Sequence, residues 1–228
     1  MSTLTKTTVA DILEMISDWR GESSTDTSAS RIRAISRAEQ DFAGRRRWRT
    51  HRLPDQTITA AGTSTETIGS STYPMRTKGL SEFFVGGTLE SDRYSIVDFN
   101  NFKNLYNQNS TTPMVYEYYD VVNDAWKVKI NPTPDAGETI TYSYYWQPPE
   151  RTSTSDYVVC DNPLIIAHLA LADIYGGEEE FEKQQLERNT AEEMIGEMEG
   201  DEDNPADNQR YEMSSIVNQT MPRGVGSY

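Results

Sequence analysis

Cysteine occurs once in this 228-residue chain, as Cys160, which excludes an intramolecular disulfide framework. With no charged-then-apolar leader at the amino terminus, the chain reads as made in a reducing cytoplasm. Histidine is almost as scarce: His51 and His168 are the only two. A zinc site drawn from His and Cys has at most three such ligands, none at ligand spacing, so no metal or other cofactor is expected. No G-x-G-x-x-G or Walker A spacing occurs, and Gly86-Gly87 and Gly176-Gly177 read as turns rather than phosphate cradles. No apolar run approaches the ~20 residues of a membrane span, which leaves a soluble chain with no membrane partner. Large aliphatic side chains are thin as well. Leu, Ile, Val and Phe make up under a fifth of the residues, and with a net charge of −15 that composition struggles to close a core. Thirteen Tyr and four Trp argue the other way. The expectation is a subunit whose burial is completed by sibling copies or by a partner.

What is present is sorted by charge. Residues 31 to 52 carry eight Arg against Glu39 and Asp41, whereas residues 176 to 203 carry twelve acids against Lys183 and Arg188. Both bands read either as solvated helix faces, with Arg45 to Arg47 complementing a helix carboxyl terminus, or as surfaces that meet between identical copies. Nucleic acid gripped by the Arg segment is disfavoured, because the total charge repels phosphate at a distance.

Along the chain, Thr8 with Asp11 gives a capping-box start, and Val9, Ile12, Leu13, Ile16 and Trp19 recur at helical spacing until Gly21. A second helix is predicted over 28–47, with Ile32, Ile35, Ala38 and Phe42 on one face. From Leu53 to Trp146 the helical period vanishes, and alternating runs near 56–60, 83–85 and 115–119 read as strands. Residues 60 to 80 have the composition of a long exposed loop or protruding hairpin. The segment Tyr94–Phe102 is open between a strand and a short helix. Lys127–Ile130 and Thr139–Tyr144 both have a two-residue period, and the Pro132, Pro134 and Gly137 turn between them predicts a hairpin. Asn162-Pro163 opens an apolar helix, Gly176-Gly177 breaks it, and an acidic helix follows. Its weak stripe of Phe181, Leu186, Ala191, Met194, Ile195 and Met198 suits a partner better than a deep core. Beyond Gly200 the chain reads as a tail with apolar anchors.

Chemistry is harder to find. Cys160, His168 and Asp161 can be arranged on paper as nucleophile, base and orienter. Against that, His168 lies in an apolar helix where a hydrogen bond to a neighbouring element explains it, and Cys160 reads as a small filler before the cap. No catalytic residue is assigned and the chain is read as a non-enzyme. The aromatic cluster of Tyr116, Tyr118, Tyr119, Trp126, Tyr142, Tyr144, Tyr145 and Trp146 reads as sheet core, protein interface or sugar-stacking face.

The predicted fold is therefore α+β: a helical core of two amino-terminal and two carboxyl-terminal helices, an inserted antiparallel β domain and an extended tail. The boundaries fall at 1–52, 53–150, 151–200 and 201–228. This order, with Arg45-Arg46-Arg47-Trp48, Ile130-Asn131-Pro132-Thr133-Pro134, Tyr142-Ser143-Tyr144-Tyr145 and Asn162-Pro163-Leu164, resembles the head-to-tail adaptor (connector) proteins of tailed bacteriophages. It is similar in particular to the tail tubular protein A type. The resemblance implies a structural virion protein forming a homo-oligomeric ring, twelve-membered in that family. Such a ring docks beneath the portal protein, extends the DNA channel and presents a surface for the next tail component. DNA passes through the lumen without specific binding. Carried onto this chain, Tyr211, Met213, Ile216, Val217, Met221 and Tyr228 are the portal-binding anchors. Arg31, Arg33, Arg37, Arg45, Arg46 and Arg47 face the neighbouring subunit, and Glu178, Glu179, Glu180, Glu182 and Glu187 line the channel. The alternatives are an aromatic carbohydrate- or receptor-binding module of a virion and a Cys-dependent hydrolase.

Overall fold

Thr8 starts the first helix as its capping box predicts: its hydroxyl oxygen accepts from Asp11 N–H at 3.2 Å, and its own N–H donates to the Asp11 carboxylate at 2.7 Å. The computed structural model describes residues 7–70, 72–107 and 111–202. A short strand β1 (Thr7–Thr8) leads into α1 (Val9–Arg20), which stops at Gly21 with a left-handed φ of 66°. Helix α2 (Ala29–Arg45) ends two residues before the sequence predicts, because the chain turns extended at Arg46 to bring Trp48 back under it. The Trp48 indole stacks on Phe42 at 4.5 Å between ring centroids and donates to the Phe42 carbonyl at 2.8 Å. The last carbonyls of α2 have no helical partners. The Arg76 guanidinium supplies them, donating to Ala43 O and Arg46 O at 2.8 Å each.

The insertion follows as β2 (Arg52–Thr59), β3 (Thr65–Ile68), β4 (Met75–Val85), β5 (Ser95–Ile96), α3 (Phe99–Asn107), β6 (Met114–Asp120), β7 (Ala125–Asn131) and β8 (Thr139–Trp146). It forms two sheets, ordered β2-β8-β4 and β3-β7-β6-β5. Their inner faces share one core in which Phe83, Ile140 and Tyr144 of the first sheet meet Val115, Val128 and Ile130 of the second. The hairpin expected between Lys127–Ile130 and Thr139–Tyr144 does not form. β7 pairs with β6 and β3, whereas β8 pairs with β2 and β4. A two-residue period reports which face is buried, not which strand lies alongside, and these two runs meet across the sandwich. The turn between them carries the chain from one sheet to the other, and the hairpin that does form joins β6 to β7.

Residues 60–80 also depart from expectation. Ala60, Ile68, Met75 and Leu80 are buried, and the stretch contains β3 and the first half of β4. Its small side chains serve close approach: a Cβ on Gly79 would lie 2.6 Å from both the Arg76 and Tyr145 carbonyl oxygens. The undecided segment 94–102 provides both a strand, β5, and the start of α3.

After β9 (Tyr157–Val158), which pairs with β1, the chain enters α4 (Pro163–Gly177) and α5 (Phe181–Glu202). Asn162 caps α4 by accepting from Leu164 N–H at 3.2 Å, with Pro163 at the first helical position. Helix α4 is apolar around its circumference because α1, α2 and α5 all pack on it. The break before α5 falls one to three residues past the expected glycines, with Glu179 left-handed at φ 63°. Of the α5 stripe, Ala191 and Ile195 join the helical core and Met194 and Met198 pack against it; Phe181 and Leu186 stay exposed. Residues 9–195 thus close two cores, one helical and one in the sandwich, with Tyr, Trp and Ala replacing the missing aliphatics.

Candidate functional site

Few of the arginines of α2 are free charges. Arg31 is only 8% exposed and is held by Glu22 at 2.5 Å and Asp26 at 3.0 Å. Beside it, Arg31 and Arg20 hold the Glu22 carboxyl down at about 2. Arg45 bridges Asp41 (2.8 Å) and Glu192 of α5 (2.5 Å), and Arg37 pairs with Asp173 of α4 at 2.9 Å. Arg33 is exposed and donates back to Ala29 O at 3.1 Å. Arg46 lies over the Trp48 ring, and Arg47 lies over Tyr145 while donating to Lys78 O at 2.8 Å. The segment after β8 is tied to α2 by the most buried of these contacts. Glu39, fully buried, takes a two-pronged pair from Arg151 at 2.7 Å on each arm and accepts Val159 N–H at 2.9 Å.

The predicted channel acids divide in the same way. Glu178 is not in α5 but at the end of α4, paired with both arms of Arg20 at 2.9 and 3.0 Å. Glu187 reaches back to the His168 ring at 2.6 Å, and His168 stacks on Trp19 at 4.5 Å. Glu180 pairs with Lys183 at 2.5 Å. Glu179 and Glu182 are exposed, and at 100° per residue Glu182 shares one side of α5 with Glu193 and Glu197, also exposed. The predicted anchors Tyr211, Met213, Ile216, Val217, Met221 and Tyr228 lie outside the described residues.

The aromatic cluster separates by strand. Tyr142, Tyr144 and Trp146 are core, and burial pushes the Tyr144 hydroxyl up to about 12. Tyr116, Tyr118, Tyr119 and Trp126 instead border an open groove of about 690 Å³ between β6, β4 and the start of α3. Phe99 packs on Tyr116 at 5.6 Å, and Tyr116 stacks on Tyr118 at 6.0 Å. Within this groove sits a carboxylate that the sequence reading passed over. Glu117 shares the inner face of β6 with Val115, and it reaches across to β4 to accept Leu80 N–H at 2.8 Å, where β4 slips register. Burial raises its pKa, against the opposing pull of main-chain N–H groups at Leu80, Gly79 and Lys78. Its second oxygen, Oε1, is buried with no partner. A lone acid on the Val115 side of an aromatic strand is the signal that marks it in sequence. Arg76, by contrast, gives no such signal amid Thr, Lys and Gly.

The arrangement holds nothing poised for catalysis by Cys160. Burial pushes its thiol up to about 12, and the thiol donates to Asn162 O at 3.1 Å. No group of metal-ligating side chains occurs among the described residues, and no described helix is long and apolar enough to cross a membrane. What the described residues present is a closed helical core, a sandwich and an open groove. The family model described as SU10 adaptor protein matches residues 7–215, and the chain belongs to that family. It is a phage adaptor with a structural, non-enzymatic role that brings it into contact with other virion components. The match is not specific to the tail tubular protein A type. No curated protein matches the chain.

Proposed function

We infer that copies of this chain assemble into a closed ring, of twelve copies as in the tail tubular protein A type it resembles. The ring docks beneath the portal, continues the DNA channel and offers its far side to the next tail component. The observation that carries this reading is family membership over residues 7–215 together with the division of charge. Arg33 and Arg37 stand on the exposed face of α2, while Glu182, Glu193 and Glu197 stand on the exposed face of α5. The α2 face is turned toward the neighbouring subunit, and the α5 face toward the channel. Arg46 and Arg47 flank this face, and like Arg31 and Arg45 they are engaged inside their own subunit. The exposed acids of α5 keep DNA from adhering as it passes. The segment carrying Tyr211 through Tyr228 serves as the docking arm toward the portal.

Mixing the full chain with purified portal and imaging the product by electron microscopy tests this. Closed rings seated on the portal are expected, and chains that stay unassembled would remove the reading. Lysine at Glu182, Glu193 and Glu197 together should slow genome ejection; unchanged kinetics would exclude these acids from the channel wall.

A further inference from the structure

The sheet β3-β7-β6-β5 is complete on one side of β6 and unfinished on the other. Strand β7 pairs along all of β6, from Met114 to Asp120, but β5 pairs only with Met114 and Val115. The hydrogen bonds toward β5 run from Ser95 N–H to Pro113 O and from Val97 N–H to Val115 O. Odd-numbered residues of β6 therefore aim their main-chain groups at that side. By the same alternation, the N–H and C=O of Glu117 and Tyr119 point along it too, where no strand lies beside them among the described residues. The groove of about 690 Å³ follows this edge. One wall is apolar, built from Phe99, Tyr116 and Tyr118; the other carries Arg47, Lys78 and Glu117, whose Oε1 is buried without a partner. An unpaired ladder, a wall of each character and an orphaned carboxylate oxygen are what an added strand would complete.

We propose that this edge is a strand-addition site and that its occupant is the segment Arg210–Ser214 of a second copy of the chain. The proposal rests on the ring reading above. In an extended segment, Tyr211 and Met213 fall on one face and Arg210, Glu212 and Ser214 on the other. Tyr211 and Met213 lie on the aromatic wall. On the polar wall Arg210 answers Glu117, and Glu212 answers Arg47 and Lys78. Five residues match the open stretch Tyr116–Asp120. Seven residues separate Arg210 from the end of α5, which gives the segment a reach of up to about 25 Å from its own helix. Ile216, Val217, Met221 and Tyr228 remain beyond the strand for the portal, so one arm ties a neighbour and a platform together.

Cysteine trapping between two preparations tests it, using the full chain with Cys160→Ala throughout. One preparation carries Tyr118→Cys and the other Tyr211→Cys, and the two are mixed with and without purified portal. Mild oxidation should give two-chain products at about tenfold the yield of a control pairing Tyr211→Cys with Val122→Cys at the exposed tip of the β6–β7 hairpin. Adding Glu212→Pro and Met213→Pro to the Tyr211→Cys chain removes the N–H of whichever residue faces β6, alters no described residue, and should cut the yield about tenfold. A yield equal to the control, or unmoved by the prolines, overturns the proposal. Portal-bound rings with control-level trapping would sink strand addition and leave the ring standing. Full trapping with no ring on the portal would leave strand addition standing and sink the ring.

Discussion

In the helical half of the chain, Glu39 answers Arg151, Glu22 answers Arg31, and the orphan carbonyls at the end of α2 answer Arg76. In the β half, Glu117 keeps an oxygen without a partner, and two residues of β6 face a groove with no strand beside them among the described residues. The first region pairs its buried carboxylates inside the subunit, although the Ser17 hydroxyl of α1 and His51 Nε2 are also buried without a partner; the second leaves a row of main-chain groups available along one edge. That contrast places the paired buried charges in the helices and an open strand edge on the sandwich. The low aliphatic content pointed to a subunit finished by its neighbours, and the strand addition proposed above would confine that completion to one edge.

The contrast breaks most visibly at Glu39. Glu39→Ala leaves the Arg151 guanidinium and Val159 N–H facing a buried void, and should cost about 3–5 kcal/mol in chemical denaturation. A loss below about 1 kcal/mol would mean that the pair is not holding α2 to the segment after β8.

His51 sharpens the comparison at the junction of the two halves, where it lies 6.1 Å from Phe42 of α2 and 5.1 Å from Trp146 of β8 between ring centroids. Burial lowers its pKa to about 4. The unfolded chain takes up this proton near the ordinary value of 6.5 and the folded chain resists it, so stability falls as pH drops from 6.5 to about 4. The loss should approach about 3 kcal/mol, and His51→Phe should flatten that part of the stability–pH curve. An unaltered slope would assign the acid sensitivity elsewhere.

Gly79→Ala probes where β4 slips register beside Glu117. Its Cβ would meet two carbonyl oxygens at 2.6 Å, backbone atoms that cannot swing aside. A loss of about 1–3 kcal/mol in melting or denaturant midpoint is expected. The smallest effect belongs to the hairpin tip, where Val121 and Val122 are 81% and 92% exposed. Serine at both should shift stability by less than about 0.5 kcal/mol, and a larger shift would show that the tip is packed rather than presented.

Much of the helical half was legible in the residues. Thr8 with Asp11, Gly21 and Asn162-Pro163 are local signals whose chemistry acts within one turn, and each placed a helix end. The acidic helix was legible in type, but not in which of its acids were already engaged: Glu187 meets His168 and Glu192 meets Arg45 through tertiary contacts that spacing does not encode. The β half was legible as strands and illegible as partners. Val128 and Ile130 announce an inner face as clearly as Ile140 and Tyr144 do, yet nothing local says that the two faces belong to opposing sheets. Residues 60–80 misled for a related reason, since small residues that read as loop were needed for close strand approach at Gly79. The anchors from Tyr211 to Tyr228 lie beyond the described residues, and the role proposed for them rests on the sequence resemblance alone.

Amide hydrogen exchange at Glu117 and Tyr119 tests the central contrast most directly, read on the free chain and again in the ring on its portal. These two amides should exchange fast in the free chain while those of Tyr116 and Tyr118, paired to β7, are protected, and assembly should protect all four. Equal protection of Glu117 and Tyr119 before and after assembly would contradict the view that the edge of β6 is completed only by another chain.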